Sequence, residues 1–482
     1  MAGPWTFLLT CALLTASSVQ ATLGPPAVLT IGPEVIKEKF TQALKDHNAV
    51  NILQQLPLLS AVREEPARGF VGSIVGTILK YIVWLKVTSA SILQLQVEPL
   101  ASMQEIVVRV PMDMVAGFNT PLIPTIVEMH MKTEAQAIIH VERNNQGLPH
   151  LVLSDCSNSQ GSLSISLLHK LSFLVNPLAD KVMNLLMPAL PKLVKSKLCP
   201  VMEAAFQDMY TNLLHMVKTP VSLGFNHLEF DLLFPAIDYD IHLNLKVKLL
   251  DSQGKMTGWF NTSSTSITVP TLNNDYFSFV VRLDVVNAAV AALLPPEELA
   301  VLLDYVLPEL ARELKTSLKV ISEKAAAQLG PTQIVKIFTQ DTPIVLLTQD
   351  GAKLAQQVVF EVFATNEVRR PFFTLGIEAN SEAQFYTKGD QLILNLNEIN
   401  IERIQLMNTG ISDFNPELLK GIITDILVSV LLPNENGKLR FGIPIPMVKA
   451  FGFEEAALSM TKDSLVITPS PHSTQDLYPL SS

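Results

Sequence analysis

The spacing of hydrophobic and polar positions changes several times along the chain. In residues 33–56, Ile36, Phe40, Ala43 and Leu44 follow one another at intervals of four, three and one, as on the apolar face of an amphipathic helix. The spacing then becomes two, which predicts half-buried antiparallel strands. The alternating runs are Leu93, Leu95 and Val97, then Val127, Met129 and Met131, and then Leu163, Ile165 and Leu167.

Helical spacing returns at Leu168. The apolar positions of this stretch are Leu171, Leu174, Val175, Leu178, Val182, Leu185 and Leu186. Pro177, Pro188 and Pro191 are expected to kink or end the helix, because proline lacks an amide hydrogen and its ring clashes with the preceding turn.

The second half repeats this order of elements. One helical face carries Val286, Ala289, Val290 and Leu293. Helical sequence continues from Pro296 to about Leu329, and alternation returns at Leu392, Leu394 and Leu396. The last helix is predicted with Asn415 as N-cap and an end near Pro433. Its apolar stripe comprises Leu419, Ile422, Ile423, Ile426 and Val430.

Two halves of similar length and equal element order indicate an internal duplication. First helix to last helix covers about 135 residues in the first half and about 131 in the second. The segment between them, 251–275, is rich in Ser, Thr, Asn and Gly and is predicted to be a linker. The predicted divisions are a signal peptide (1–21), an amino-terminal domain (22–250), the linker (251–275), a carboxyl-terminal domain (276–468) and a flexible tail (469–482).

A long apolar helix over a twisted sheet allows two interiors. The helix and sheet either close into a packed core or leave a slot of the kind that takes acyl chains. The hydrophobic periodicity of the sequence is the same in both cases and does not distinguish them. Composition adds that 48% of the 482 residues are hydrophobic and 17% charged, below the roughly 25% charged residues of typical soluble domains. A large core or internal apolar cavities would absorb this excess, and the length favours two domains.

The amino terminus predicts secretion. Residues 5–16 are mostly apolar, Ala21 offers a small residue for cleavage, and the first charged residue is Glu34. No later stretch is both long and apolar enough to predict a membrane span. Of three cysteines, Cys11 leaves with the signal peptide, so one disulfide is expected in an oxidising compartment. Asn261-Thr262-Ser263 is the single sequon and predicts glycosylation of Asn261.

Several motifs resemble the bactericidal/permeability-increasing family. Asp155-Cys156-Ser157, the alternating run from Leu163, and a helix reaching Leu198-Cys199-Pro200 are similar to that family's disulfide-bearing hairpin and helix. Asn408-Thr409-Gly410-Ile411 and Leu431-Leu432-Pro433-Asn434 resemble its carboxyl-terminal helix region. Residues 46–48 and 53–59 resemble the long PLUNC branch of the family.

The resemblance implies an α+β fold. It implies two pseudo-symmetric domains, each a twisted antiparallel sheet or barrel with long amphipathic helices, joined through a central sheet into a boomerang. It also implies a Cys156–Cys199 disulfide and an apolar lipid pocket in each domain. Pocket candidates from the helical stripes are Ile36, Phe40, Leu44, Leu171, Leu174 and Val175 in the first half, and Val286, Val290, Leu419, Ile422, Ile423 and Ile426 in the second.

Charge argues against a cationic membrane-killing protein. Residues 22–250 carry 18 Lys and Arg against 19 Asp and Glu, and residues 251–482 carry 17 against 26. Binding to the phosphates of lipopolysaccharide usually requires a dense positive surface. Lys192, Lys195 and Lys197 are the candidate headgroup contacts, although three lysines at an exposed helix end are more often a solvated face.

Other function classes find little support. The chain has no G-x-S-x-G, H-E-x-x-H, phosphate-loop or dinucleotide-loop motif, so we expect no enzyme and no cofactor. Asp238, Asp240 and His242 alternate on one strand and could hold a metal, but a solvent face explains them better. A net charge of −10 disfavours nucleic acid.

These features lead to three hypotheses. The first is a secreted binder of phospholipid or bacterial lipopolysaccharide in mucosal innate immunity, with peripheral membrane contact at most. The second is lipid transfer between particles. The third is an interfacial protein that acts at an air–water or mucus surface.

Overall fold

The computed structural model describes residues 24–64, 80–100, 104–121, 123–159, 161–169, 176–272, 276–348, 351–364, 370–411 and 413–470. The predicted signal peptide therefore lies outside the described residues. No helix within these ranges combines the length and apolar character needed to cross a membrane.

The first half contains long antiparallel strands and five helices within its described residues. In chain order the elements are β1 (Ala27–Ile31), α1 (Pro33–Asp46), α2 (Ala49–Gln54), α3 (Leu58–Glu64), β2 (Trp84–Ile92), β3 (Gln96–Leu100), β4 (Glu105–Thr120), β5 (Ile123–Arg143), β6 (Pro149–Asn158), β7 (Ser164–Leu167), α4 (Asn176–Lys197), α5 (Cys199–Val217), β8 (Val221–Leu223), β9 (Asn226–Asp238), β10 (Asp240–Leu250) and β11 (Met256–Phe260).

The second half has a similar mixture. Its elements are β12 (Phe277–Arg282), α6 (Leu283–Leu293), β13 (Glu298–Leu302), α7 (Leu303–Val306), α8 (Pro308–Ile321), α9 (Glu323–Gln328), β14 (Gln333–Thr339), β15 (Ile344–Thr348), β16 (Gly351–Ala364), β17 (Phe373–Lys388), β18 (Gln391–Thr409), a 3₁₀ helix (Pro416–Leu419), α10 (Lys420–Leu439), β19 (Ile443–Pro444), α11 (Pro446–Ala450), β20 (Ala456–Met460) and β21 (Ser464–Pro469).

A central antiparallel sheet joins the two halves. Its strand order is β20-β21-β12-β1-β10-β9-β8, with β11 also pairing with β10. Strand β1 lies between β10 of the first half and β12 of the second, so Leu29 is opposite Leu243 on one side and Phe279 on the other. All five residues of β1 are buried. The first strand of the chain thus becomes the strand that connects both halves.

Each half also has its own antiparallel sheet. The first-half sheet runs β2-β4-β5-β6, with β3 pairing with β4 and β7 pairing with β5. The second-half sheet runs β13-β14-β16-β17-β18-β19, with β15 pairing with β16. Alternate residues of these long strands face the interior, as Met112, Met114 and Met131 do with at most 1% exposure. The α+β prediction and the repeated plan around a central sheet are confirmed.

Several predicted helix ends differ from the structure. The first helix stops after Asp46, because Asn48 adopts a left-handed backbone with φ of 53° before α2 begins. Helix α4 continues through Pro188 and Pro191, and α10 continues through Pro433 to Leu439, so the predicted end near Pro433 is wrong. Tertiary bonds hold the extension of α10, since the Asn436 amide bonds both the N–H and the carbonyl of Leu396, each at 2.8 Å.

Two further segments differ from their predicted forms. Residues 298–302 form β13 rather than helix, because pairing with β14 outweighs the helical propensity of the sequence. Within the predicted linker, β11 pairs with β10, and Gly24 and Ser263 exchange backbone hydrogen bonds of 2.7 and 2.9 Å. A Cβ on Gly24 would lie 2.8 Å from the Thr265 carbonyl oxygen, so only glycine fits there.

Candidate functional site

An apolar cavity lies beneath the central sheet where strands of both halves meet. Strands β8 and β9 contribute Val221, Leu228 and Phe230 from the first half. The remaining wall comes from the second half and comprises Phe279, Val281, Val285, Val286, Ala289, Leu392, Ile443, Pro444, Ile445, Pro446, Met447, Leu465 and Ile467. Every lining residue is apolar, so the cavity offers no side-chain partner for water and favours a hydrocarbon occupant.

The cavity is lined by inward-facing residues of two strands, one helix and one extended segment. Phe230 on β9 and Phe279 on β12 both face inward, and their rings meet edge to face with centroids 5.5 Å apart. On α6, Val285, Val286 and Ala289 are spaced one and three residues apart and therefore share one face. The segment from Ile443 to Met447 closes the opposite side, where Pro444 and Pro446 contribute apolar surface without an amide donor.

The cavity is narrow in this structure. Its volume is about 60 Å³, compared with roughly 300–1,000 Å³ for typical small-molecule pockets. A whole phospholipid therefore requires the α6 and Ile443–Met447 walls to separate. A short length of acyl chain is the occupant that matches both its size and its chemistry.

The predicted pocket residues of the second half occupy different places. Val286 lines the cavity, whereas Val290, one turn along α6, is fully buried in the surrounding core. Leu419, Ile422, Ile423 and Ile426 are buried along the 3₁₀ helix and α10. Helix α10 packs mainly against β18. Their role as lipid contacts stays a prediction.

The predicted pocket residues of the first half pack between helices. Ile36, Phe40 and Leu44 are at most 1% exposed on α1, which packs against α5. The Phe40 ring meets Phe206 of α5 edge to face, with centroids 6.2 Å apart. These contacts are those of a packed helix interface. Leu171, Leu174 and Val175 lie outside the described residues.

The apolar stripes of the predicted helices do not include most residues of the cavity wall. Phe230 lies on an alternating strand, whereas Phe279 and Ile467 lie on strands that are buried on both faces; in each case the apolar pattern marks burial without indicating what the side chain faces. The alternation of Ile443, Pro444, Ile445 and Pro446 is the sequence feature that could have indicated this part of the wall. Each proline disfavours helical backbone at the residue before it, so Pro444 and Pro446 favour an extended form at Ile443 and Ile445.

The disulfide joins α5 to the first-half sheet. Cys156 on β6 and Cys199 at the start of α5 are bonded, with S–S 2.00 Å and Cα atoms 5.7 Å apart. Both residues are buried. The bond fixes the helix that packs against Phe40 and its neighbours, so it stabilises the amino-terminal half.

The other predicted positions lie at the surface. Lys192, Lys195 and Lys197 are exposed in the last turns of α4, and Asn261 is exposed just after β11. Asp238, Asp240 and His242 border a separate cleft of about 630 Å³ with mixed polar and apolar walls. Burial raises the pKa of Asp240, and His242 Nδ1 lies 3.0 Å from the Thr30 hydroxyl.

Comparison with known proteins gives a consistent result over both halves. Residues 43–209 match the model of the LBP / BPI / CETP family, N-terminal domain, and residues 269–469 match that family's C-terminal domain. The human protein called BPI fold-containing family B member 1 is 64% identical over 97% of this chain and 98% of its own length. The mouse protein of the same name is 55% identical over 97% of this chain and 99% of its own.

A solved structure supports the same fold. The crystal structure of lipopolysaccharide binding protein aligns with 93% of this chain and 99% of its own, with a TM-score of 0.54 and 14% sequence identity. At that identity the likeness concerns the fold alone.

Proposed function

This chain belongs to the LBP / BPI / CETP family, and from that premise we propose that it is a secreted, non-enzymatic protein that binds the acyl chains of phospholipid or bacterial lipopolysaccharide. In mucosal secretions it would modulate host responses to bacterial products. The observation that carries the proposal is the cavity beneath the central sheet, whose walls are entirely apolar.

Binding through acyl chains fits the chemistry of the site. The cavity presents hydrocarbon on all sides, so the favourable term is removal of an acyl chain from water, about 0.8 kcal/mol for each buried methylene. The name of the structural relative, lipopolysaccharide binding protein, supports bacterial lipopolysaccharide as one candidate ligand. The near-neutral first half and acidic second half support recognition by hydrocarbon rather than by a dense cationic surface.

Ala289→Phe tests this proposal. Ala289 is 4% exposed and lines the cavity, so a phenyl ring there would fill the space meant for an acyl chain. Ala288→Phe is the matched control, since Ala288 is half-buried on the same helix and does not line the cavity. Native mass spectrometry for copurified lipid and titration with a fluorescent phospholipid should show a loss in Ala289→Phe only. Equal lipid binding by both folded variants would contradict the proposal.

The interfacial alternative has its own support. Phe225, Tyr305 and Phe441 are 89%, 85% and 67% exposed, so these rings would be available to contact an apolar phase at an interface. An interfacial protein would lower surface tension in both Ala289→Phe and the control. Lipid transfer, the other alternative, predicts vesicle-to-vesicle exchange faster than spontaneous exchange, and its absence would remove that hypothesis.

A further inference from the structure

Strand β11 is an edge of the central sheet. Among the described residues its one partner strand is β10, so no second strand pairs with its other side. Its sequence, Met-Thr-Gly-Trp-Phe, carries no charge, and Met256 and Trp259 are 52% and 46% exposed. Such an edge is a template for pairing with another chain, and natural proteins usually protect it with lysine, proline or a cover.

Trp259 stands on the solvent face of this edge. The Phe260 ring lies over Gly258 on the opposite face, 3.3 Å from where a Cβ of that glycine would be. Trp259 lies opposite Lys248 in the β10–β11 ladder. The Lys248 and Lys246 ammonium groups are 5.4 and 5.7 Å from the indole centroid, which holds the ring by cation–π attraction.

Asn261 is the first residue after β11 and follows Trp259 by two positions. The ladder pairs Lys248 with Trp259 and Val247 with Phe260, and beyond it the Asn261 Oδ1 accepts the Thr262 N–H at 2.8 Å. The backbone at Asn261 is held in place, because the buried guanidinium of Arg282 donates to its carbonyl oxygen at 3.0 Å. Asn261 is exposed and begins the Asn-Thr-Ser acceptor sequence. It lies two residues after Trp259, whose exposed indole is held by the two lysines.

We propose that the N-linked glycan of Asn261 packs its first N-acetylglucosamine ring against the Trp259 indole, on the face of the edge strand β11. The C–H face of the sugar is apolar and gains dispersion contacts on an aromatic ring. Because Trp259 and the Asn261 backbone are both held, little conformational entropy is lost on contact. The proposal depends on the proposed secretion, since the sugar donor belongs to the secretory pathway.

Attachment of the glycan to Asn261 forms one bond and breaks one bond. Asn261 Nδ2 forms a bond to C1 of the first sugar and releases one proton to solvent. The bond between C1 and the pyrophosphate of a lipid-linked oligosaccharide breaks, and the lipid pyrophosphate leaves with the bonding electron pair. A bulky polar group then stands at the edge of the sheet.

The test uses the full chain secreted from cells that make only high-mannose glycans. All forms carry Trp84→Phe. The three forms compared are the protein with its intact glycan, the protein trimmed by an endoglycosidase to one sugar, and the protein freed of all sugar by an amidase. Mass spectrometry of the secreted protein should find Asn261 occupied. The one-sugar form should keep the tryptophan emission and Tm of the intact form. The sugar-free form should show red-shifted emission and a Tm lower by about 2 °C, as a loss near 1 kcal/mol produces in a domain of this size.

Two variants control the comparison. Trp259→Thr should abolish the Tm difference between the one-sugar and sugar-free forms, because the platform is gone. Asn261→Asp, made without glycan, should match the sugar-free form, which carries the aspartate that the amidase leaves. An unoccupied Asn261, or an equal Tm difference in Trp259→Thr, would overturn the proposal. None of these measurements involves lipid, so failure of lipid binding would refute the proposed function and leave this result intact.

Discussion

The buried carboxyl of Glu435 on α10 makes the stability of the carboxyl-terminal half depend on pH. Its side chain is 2% exposed and accepts a hydrogen bond from Gln356 Nε2 of β16 at 3.4 Å. Nearby, Lys438 of the same helix is paired with Glu297 at 2.5 Å. Burial raises the pKa of Glu435 from 4.5 to about 7, with a smaller contribution from the Glu297 charge, while Gln356 and Lys438 act in the opposite direction.

The sign of the effect follows from proton counting. Between pH 4.5 and 7 the folded protein holds a proton on Glu435 that the unfolded chain releases, so the free energy of unfolding falls as pH rises through this window. At 1.36 kcal/mol per pKa unit, the loss is about 3 kcal/mol by pH 8. Glu435→Gln keeps the shape of the side chain and removes its charge, so it should be close to neutral at pH 4.5 and stabilising by about 3 kcal/mol at pH 8.

Urea denaturation followed by circular dichroism at pH 4.5, 6, 7 and 8 measures this difference directly. Glu382→Gln, an exposed carboxyl on β17 of the same sheet, is the matched control and should change the free energy of unfolding by less than about 0.5 kcal/mol throughout. A Glu435→Gln gain that is equal at pH 4.5 and 8, or absent at pH 8, would refute the argument from burial.

Three further substitutions test the packing described above. Replacing Cys156 and Cys199 by Ser should lower the free energy of unfolding by about 4 kcal/mol, because the bond closes a loop with a sequence separation of 43; equal urea midpoints for variant and parent would contradict this. Phe40→Ala should cost about 3–5 kcal/mol by opening a cavity against Phe206, whereas a loss under 1 kcal/mol in the same assay would mean that the α1–α5 interface is already loose. Asn415→Ala should cost about 1 kcal/mol, because its Oδ1 accepts the Glu417 amide at 3.1 Å, and Asn415→Asp should restore most of it.

Local sequence patterns determined much of the secondary structure. Helical spacing located α1, α6 and α10, and an asparagine before a proline marked the 3₁₀ turn that begins the last helix. The positions where helices end were predicted less well, because the local preferences of proline and asparagine compete with tertiary contacts. Pro433 was expected to end α10, yet the bonds between Asn436 and Leu396 extend the helix and place Glu435 in the interior. The pH-dependent group was therefore not recognisable from the sequence.

The sequence by itself determined which faces are apolar and that the plan occurs twice, and it predicted one disulfide, which the structure contains. Only the tertiary structure decided what those faces meet. Phe230 and Phe279 line one cavity because β1, from the start of the chain, pairs with both β10 and β12. A period of two or 3.6 is a local property, whereas strand partners here lie more than 200 residues apart. The identity of the opposite wall is therefore set by pairing and packing across the whole fold.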